Sequence, residues 1–447
     1  DGLHAVLDGG PETVCRIDAA RERARALCDG QSVVAAYETA YRRAQAAAVP
    51  GPAAATVPTV PLRVMHVLNE LMPSGAEVML RTSADHWPQH GVQCQLLSLG
   101  AEPGPYAAPL RKAGYALHHL PFEPSLRFVR RFQERLRAEG VDVVHLHVER
   151  ASMWLALAVR LAGVRCVVRT VHNNFLFHGG LRLRRVVSRA VMRLLGTRQI
   201  AISEMVRETE RERFGNPSMV IHNWYDSARI VPVADAQRHQ ARHRLGIADP
   251  CFVVLTIGNC SAVKNHASLI EALAQLDRTD WCYLHIGCEE PGHPERALAE
   301  QLGVADRIRF LGLQQDVSPY LQAADLYAMP SRREGLSIAS LEAIGAGLPS
   351  LLGDVPGLRD LQSHFSSVRL SAVDAGSLAA ALRSAMSAAP EGLRTAAHAD
   401  AALARERFGV ERGVAAYVRV YGKRLRPAPT EPPPPHPDPA HSALPAG

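Results

Sequence analysis

The chain has 447 residues, 47% of them hydrophobic, with a formal net charge of +6 and a sequence pI of about 9.0. This length exceeds what one hydrophobic core normally supports and predicts two domains. No apolar run reaches the ~18 residues of a membrane-spanning helix, and no basic cluster interleaved with aromatic residues suggests a nucleic-acid partner. Because no charged-then-apolar leader is visible, we expect a cytoplasmic protein, whose positive charge suits phosphorylated donors or the inner face of a membrane.

The two ends of the chain differ in composition from its middle. Residues 1–44 are rich in Ala, Arg and Glu and are predicted to be helical, and residues 45–61 (QAAAVPGPAAATVPTVP) are typical of a linker. Residues 427–447 (PAPTEPPPPHPDPAHSALPAG) contain too little apolar surface to fold and are predicted to be disordered. The folded part is therefore expected between about residues 62 and 426.

Short apolar runs alternate with longer helical patterns in two blocks, residues 62–226 and 227–406, and a further helix is predicted over 407–426. This alternation predicts an α/β fold with two Rossmann-like domains, each a parallel sheet covered by helices, facing a cleft. The first block has predicted strands at Arg63–Leu68, Val92–Leu99, Ala116–Leu120, Asp142–Leu146, Cys166–Val171 and Gln199–Ile202. The second block has them at Phe252–Ile257, Cys282–Ile286, Ile308–Leu311, Leu326–Met329 and Ser350–Leu352.

Unusual polar clusters directly follow four of these strands. In open parallel sheets, ligands bind beyond the carboxyl ends of the strands. The shared position of the clusters therefore predicts a ligand site better than any single motif does. The clusters are Asn69–Glu77, His172–Asn174, Asn259–Asn265 and Ser331–Ser337.

The sharpest cluster continues into the segment PSRREGLSIASLEAIGAGLP, residues 330–349. A loop holds Glu334, and Ser337 is predicted to cap a helix that begins at Ile338. The free amides at such a helix start can bind phosphate, and a carboxylate near a bound nucleotide can accept hydrogen bonds from ribose hydroxyls. By spacing alone, Glu334 and Glu342 are as consistent with a helix-terminal and a solvated glutamate as with a binding site.

This segment resembles the E-x7-E signature of the family 4 glycosyltransferases, with Glu334 and Glu342 at the two glutamate positions. Other segments agree with the family in order and spacing over about residues 62–425, so the resemblance covers nearly all of the expected folded part. These segments are Arg63–Leu68, Gly75–Glu77, Val171–His172, Ile202–Glu204, Ile221–Asn223, Ile257–His266 (IGNCSAVKNH), Asp306–Gly312 (DRIRFLG), Ala324–Ser331 (ADLYAMPS) and Gly347–Pro349.

The resemblance implies a GT-B fold and a hexosyltransferase that moves a sugar, with retention, from a nucleotide-sugar donor to a glycan or lipid-linked acceptor, as in polysaccharide biosynthesis. It also implies that the helix over 407–426 closes the second domain and crosses back to the first. The implied catalytic residues are Glu334 at the transferred sugar, His172 on the sugar and acceptor side, and Lys264 at the diphosphate. The implied donor-binding residues are Lys264, Asn259, Gly335, Leu336, Ser337, Glu342 at the ribose, and Gly75, where the backbone approaches the ligand.

The residue types fit this chemistry without a metal. Breaking the anomeric C–O bond develops negative charge on the leaving diphosphate, which Lys264 and the helix start near Ser337 could stabilise. Lys264 is one of three lysines, with Lys112 and Lys423, in a chain whose other basic positions are arginine. The sequence contains no D-x-D and no C-x-x-C, so we predict no metal site and no cofactor, the nucleotide-sugar being a substrate.

Five positions depart from the family pattern. Asn259 replaces an arginine that helps to hold the diphosphate, and Ser74 replaces one glycine of the opening Gly-Gly pair. Trp224 follows Asn223 where glycine is common, Pro356 occupies the first position of another Gly-Gly pair, and Asp360 takes the usual glutamate position. These departures affect the expected efficiency and donor choice more than the expected fold.

Two further groups of residues have competing interpretations. His66, His145 and His147 lie on or at the end of predicted strands and are interpreted as structural histidines with satisfied hydrogen bonds. The Arg-rich stretch Leu181–Arg193 is either an amphipathic helix on an anionic membrane or a solvated helix packed by its apolar stripe.

Two other functions remain open for the same sequence. One is a sugar-nucleotide epimerase on the same fold, and the other is a non-enzymatic, two-lobed protein that binds a sugar or nucleotide. The pattern V-A-A-Y-x-x-x-Y occurs at residues 34–41 and again at 414–421, where the core closes. Either the match is chance, or residues 1–44 resemble the C-terminal end of another transferase domain and the native chain carries an upstream tandem domain.

Overall fold

A computed structural model describes residues 60–422 except Leu176, Val233, Asp249 and Ala389, and the side chains of residues 390–393 are also outside the description. The predictions for residues 1–44, for nearly all of 45–61 and for 427–447 fall outside the described residues. The hypothesis of an upstream tandem domain therefore stays a prediction.

The first sheet contains seven parallel strands in the order β3-β2-β1-β4-β5-β6-β7. Its strands are β1 Leu62–Leu68, β2 Val92–Ser98, β3 Ala116–His119, β4 Val143–Leu146, β5 Cys166–Val171, β6 Arg198–Ala201 and β7 Met219–Val220. The accompanying helices are α1 Gly75–Ser83, α2 Ala107–Lys112, α3 Leu126–Ala138, α4 Ser152–Leu161, α5 Gly179–Leu194 and α6 Glu204–Phe214.

The second sheet contains six parallel strands in the order β10-β9-β8-β11-β12-β13. Its strands are β8 Phe252–Ile257, β9 Trp281–Ile286, β10 Ile308–Phe310, β11 Leu326–Met329, β12 Ser350–Gly353 and β13 Val368–Ser371. Its helices are α7 Asp235–Arg244, α8 His266–Ala274, α9 Pro294–Gln301, α10 Ser318–Ala323, α11 Ile338–Gly345, α12 Pro356–Gln362 and α13 Ala375–Ser387.

Both sheets confirm the predicted pair of Rossmann-like domains. All residues of β5 and β9 are buried, as expected for parallel strands covered by helices on both faces, and this includes the polar residues Arg169, Thr170 and His285. The two strands that the sequence did not predict lie at the last position of each sheet. Strand β7 has only two residues, and β13 (VRLS) carries an exposed Arg369, so neither presents a long apolar run.

Two helices end the described chain, α14 Pro390–Phe408 and α15 Val410–Gly422. Helix α15 lies against the first sheet, where the Tyr421 hydroxyl is 2.8 Å from His145 Nδ1 and the Tyr417 hydroxyl is 2.8 Å from Thr170 Oγ1. The same helix fixes Trp224, since a Cβ on Gly413 would lie 2.1 Å from the indole ring. The indole N–H donates to the carbonyl oxygen of Met79 at 3.1 Å. A tryptophan is therefore accommodated at position 224 because position 413 has no side chain.

Within the described residues, no helix has both the length and the apolar character needed to cross a bilayer.

Candidate active site

Loops at the carboxyl ends of the two sheets meet at Gly335. A Cβ built on Gly335 would lie 3.0 Å from the carbonyl oxygen of His172 and 3.0 Å from Ile202, both in the first domain. The Asn223 side-chain amide donates to the carbonyl oxygen of Leu336 at 2.9 Å, which adds a second link between the domains. A Cβ on Gly75 would meet Ile338 at 3.4 Å, so the start of α1 lies next to the start of α11.

Lys264 and Glu334 form an ion pair at this junction. Lys264 Nζ is 2.6 Å from Glu334 Oε1, and the side chains are 27% and 13% exposed, so a ligand entering from solvent can still reach them. We call residues 258–265, between β8 and α8, the phosphate loop. Strand β8 is the neighbour of β11 in the sheet, which brings the loop after each strand to the same edge.

Asn265 holds the end of the phosphate loop in position. Its φ is 60°, in the left-handed region that asparagine tolerates better than most residues. Its side-chain amide donates to the carbonyl oxygens of Pro330 at 3.1 Å and Val373 at 2.8 Å. These hydrogen bonds tie the loop that carries Lys264 to the strand end that leads to Glu334.

Helix α11 begins as predicted. The Ser337 hydroxyl accepts a hydrogen bond from the backbone N–H of Ser340 at 3.2 Å, and Ser337 is the N-cap residue. Ser337 therefore satisfies one backbone N–H of the first turn. The start of the helix lies beside Glu334 and Gly75.

Glu342 lies in the second turn of helix α11 and is buried. Burial raises the pKa of Glu342 to about 7, while the nearby guanidinium groups of Arg229 and Arg81 favour its charged form. No pattern in the sequence indicates this environment, because the two arginines belong to other segments of the chain and carry no motif. A carboxyl group whose pKa lies close to neutral pH can bind a ribose hydroxyl in either protonation state.

His172 ends a row of hydrogen-bonded imidazoles. His66 Nδ1 is 2.9 Å from His147 Nε2, and His147 Nδ1 is 2.7 Å from His172 Nε2. Burial lowers the pKa of His172 to about 4 and that of His66 to about 3, so both rings are neutral at physiological pH. His66 and His147 were predicted as structural histidines with satisfied hydrogen bonds. The structure leaves His66 Nε2 without a partner among the described residues and joins both rings to His172, whose ring orientation they fix.

The remaining predicted residues and departures lie around this junction. The Asn259 side-chain oxygen accepts from the backbone N–H of Cys288 at 2.9 Å, so it braces the phosphate loop and supplies no charge. The Ser74 hydroxyl donates to Glu77, whose pKa is raised by burial. Asp360 accepts from the backbone N–H of Met205 at 3.3 Å. Gly357 is required where it lies, since a Cβ there would be 2.3 Å from the carbonyl oxygens of Glu334 and Gly335.

Two family models match the chain on either side of this junction. Residues 73–229 match the model described as Glycosyltransferase Family 4, and residues 237–400 match the one described as Glycosyl transferases group 1. Together they span most of the chain. The chain belongs to the family 4 glycosyltransferases. The resemblance inferred from the E-x7-E segment is thereby confirmed.

Related proteins carry the same assignment. The Bacillus subtilis protein EpsF, named as a glycosyltransferase, is 28% identical over 65% of this chain and 79% of its own length. An Escherichia coli UDP-Gal:alpha-D-GlcNAc-diphosphoundecaprenol alpha-1,3-galactosyltransferase is 27% identical over 50% of this chain and 60% of its own length. Anabaena HepE, solved in complex with UDP and glucose, superposes with a TM-score of 0.70 at 20% identity, covering 81% of this chain and 99% of HepE. The superposition with HepE confirms the GT-B fold.

The burial of Glu342 generates a prediction for stability. Its folded pKa of about 7 lies above its ordinary value of 4.5, so the folded protein keeps a proton that the unfolded chain releases between these pH values. Stability attributable to this group is therefore present at low pH and is lost as the pH rises to about 7. Glu342→Gln mimics the protonated form and should raise the free energy of unfolding by roughly 2 kcal/mol at pH 8, with little change near pH 5.

Chemical denaturation at both pH values measures this difference. The exposed Glu300→Gln is the matched control and should show no pH-dependent gain. Equal stability of Glu342→Gln and the unsubstituted protein at pH 8 would contradict the burial cost.

Proposed function

We propose that the protein is a retaining, metal-independent hexosyltransferase that moves a sugar from a nucleotide-sugar donor to a glycan or lipid-linked acceptor. The observation that carries the proposal is the Lys264–Glu334 ion pair, 2.6 Å long, at the start of helix α11 and beside the backbone of His172. The names of the related proteins support a nucleotide-sugar donor and a glycan or lipid-linked acceptor, since one uses a UDP-sugar on a diphospholipid and another binds UDP and glucose.

Each residue has a task in this proposal. The anomeric carbon gains a bond to the acceptor oxygen and loses its bond to the diphosphate oxygen, and the acceptor proton leaves with the nucleoside diphosphate or with solvent. Lys264 would exchange Glu334 for the diphosphate and neutralise the charge that develops there. Glu334 would then contact the transferred sugar, Glu342 the ribose, and the neutral His172 a sugar or acceptor hydroxyl.

The other donor-binding residues act through the backbone. Gly335, Leu336 and Ser337 would present the amides at the start of α11 to the phosphates, and Gly75 would leave room on the opposite side. Asn259 would fix the loop rather than bind charge, so Lys264 would carry more of the diphosphate binding than in relatives with an arginine there.

Two alternatives use the same site. An epimerase would also bind a nucleotide-sugar but would need no acceptor, and a two-lobed binding protein would bind the donor without turnover. The capped helix start and the lysine–glutamate pair favour transfer because they provide fixed charge where the leaving group departs.

A donor screen tests the proposed function. UDP-, GDP- and ADP-sugars are added to the protein, and a ligand at 100 times its dissociation constant should stabilise it by ~2.7 kcal/mol. The stabilising donor is then incubated alone and with lipid-linked or glycan acceptors, without added Mg²⁺ or Mn²⁺. Product with the anomeric configuration of the donor is expected only with acceptor. Epimerised donor without acceptor, or an absolute need for added divalent ion, would contradict the proposal.

Substitution of Lys264 tests the charge that the mechanism requires. Lys264→Ala should lower kcat/KM by roughly 100-fold, the scale of removing one fixed electrostatic partner of the transition state. Lys264→Arg should not restore the rate fully, because a planar guanidinium cannot reproduce a compact ammonium. Lys112→Ala, at an exposed position, is the matched control and should react normally. Near-normal turnover by a folded Lys264→Ala variant would remove the lysine from the mechanism.

We also infer that the first domain contacts an anionic membrane, where a lipid-linked acceptor would be found. Leu183, Val187 and Trp154 are 66%, 52% and 58% exposed, although all three are large and apolar. With the exposed Arg184, these side chains line a groove of about 330 Å³ between α4 and α5. Apolar side chains beside arginine suit insertion at a headgroup region. The buried Arg189, paired with Glu210 at 2.7 Å, shows that the opposite face of α5 packs on the protein.

Vesicle binding tests this surface. The double variant Leu183→Glu, Val187→Glu should bind phosphatidylglycerol vesicles at least about tenfold more weakly, because it removes two insertable side chains and adds negative charge. Leu302→Glu, in the second domain and 39% exposed, is the matched control and should bind normally. Equal co-sedimentation of all three proteins would exclude this face as the membrane contact.

A further inference from the structure

A second cluster of polar side chains lies behind the phosphate loop. Cys260 belongs to that loop, His266 begins helix α8, and His285 lies in strand β9. The thiol sulfur and one ring nitrogen of each histidine lie within 4.8 Å of one another, and the three side chains are 6%, 0% and 0% exposed. The cluster therefore faces the inside of the second domain.

The hydrogen bonds of this cluster are incomplete. Neither ring nitrogen of His266 forms a hydrogen bond of ordinary geometry with a described residue, although backbone groups of Gly258 and Asn259 lie close to the ring. Nδ1 of His285 also has no partner among the described residues. Nε2 of His285 lies 3.0 Å from the carbonyl oxygen of Gly258 and 3.6 Å from Cys260 Sγ. An unpaired buried polar group costs about 1–3 kcal/mol, so native proteins seldom leave three such atoms together.

A fourth group lies beside this cluster. Burial and the nearby carboxyl group of Glu295, at the start of α9, raise the pKa of the Cys260 thiol. Glu295 is 7% exposed, and its Oε2 has no partner among the described residues. One thiolate, two imidazoles and one carboxylate are the donor types that zinc takes in four-coordinate sites.

We propose that Cys260, His266, His285 and Glu295 bind a zinc ion. Zinc bonds of 2.0–2.3 Å place tetrahedral ligands about 3.5 Å apart, so the separations of up to 4.8 Å among Cys260, His266 and His285 require only small side-chain rotations. Glu295 lies outside that group and reaches the ion by a rotation of its own side chain. The rings of His266 and His285 are already edge to face, with centroids 4.7 Å apart. The ion satisfies one unpaired nitrogen of each histidine together with the free carboxylate oxygen.

The position of the site gives the ion a structural role. Cys260 and His266 lie on either side of Lys264 in the sequence, and His285 anchors both to the neighbouring strand. A metal that joins these three residues fixes the shape of the phosphate loop from behind without contacting a donor. The site is therefore separate from the metal-independent transfer chemistry, and neither proposal requires the other.

A second group, His66, His145 and His147, also has ring atoms close enough for a metal, but its hydrogen bonding is different. His145 pairs with Tyr421 and Thr170 at 2.8 and 2.7 Å, and His66 pairs with His147 at 2.9 Å. Five of the six ring nitrogens in this group have partners, counting the bond from His147 to His172. This group supplies a matched control and not a second site.

Metal content tests the proposal independently of activity. The untagged full-length protein is incubated with Zn²⁺, dialysed against metal-free buffer and analysed by mass spectrometry of the element. About one tightly held zinc ion per chain is expected. Cys260→Ser and His285→Gln should lower this content at least about tenfold, as loss of one ligand in four would. His66→Gln and the exposed Cys288→Ser should retain it.

Cobalt substitution tests the site in the unsubstituted protein, so its result does not depend on whether a variant folds. Co²⁺ bound by the unsubstituted protein should show the intense visible bands of tetrahedral coordination and a thiolate-to-cobalt charge-transfer band. Any one of four results would overturn the site. These are no retained zinc in the unsubstituted protein, full zinc content in Cys260→Ser, loss of zinc in His66→Gln alone, and bound cobalt without the charge-transfer band.

Discussion

The ion pair between Lys264 and Glu334 depends on the parallel order of the second sheet. Strands β8 and β11 are neighbours, so the loop after each strand emerges at the same edge and brings the two side chains within 2.6 Å. In the absence of donor, the pair keeps the Lys264 ammonium at the mouth of the site. A partly buried pair has a desolvation cost that offsets much of its Coulomb attraction. A diphosphate carries more charge than one carboxylate, so under the proposed function it would displace Glu334 from Lys264, and Glu334 would then contact the sugar.

Close backbone contacts decide how the two domains meet around that pair. Gly335 faces the carbonyl oxygen of His172 at a distance that makes any side chain tight. Gly357 faces the carbonyl oxygens of Glu334 and Gly335 at distances that leave no room for a side chain. These contacts fix the loop of Glu334 from two sides. Asn223 and α15 add links that cross from one domain to the other, through the Leu336 carbonyl and through the tyrosines that pair with His145 and Thr170.

The sequence was sufficient where a local pattern or a general rule of the fold decides the structure. Apolar runs located most strands to within one or two residues, and the rule that ligands bind at strand ends predicted a site of Lys264, Glu334 and His172, whose loops the structure brings together. Ser337 was identifiable as a helix cap because capping is a local interaction. The histidine row was not predictable, since it requires the register that pairs His66 with His145 across β1 and β4. Three other features likewise arise only from tertiary packing. They are the fit of Trp224 against Gly413, the approach of two arginines to Glu342, and the proximity of Cys260 to His285.

Burial favours the neutral forms of two titratable side chains in the site. It raises the pKa of Glu342 to about 7 and lowers that of His172 to about 4, so a carboxylic acid and an imidazole both shift toward their neutral forms. The charge near the junction lies on the Lys264–Glu334 pair, on the guanidinium groups of Arg229 and Arg81, and on the amides at the start of α11. A diphosphate bound as proposed would therefore meet positive groups whose positions the fold already sets. Such preorganisation stabilises a developing negative charge more effectively than mobile charges would, because its cost is met when the chain folds.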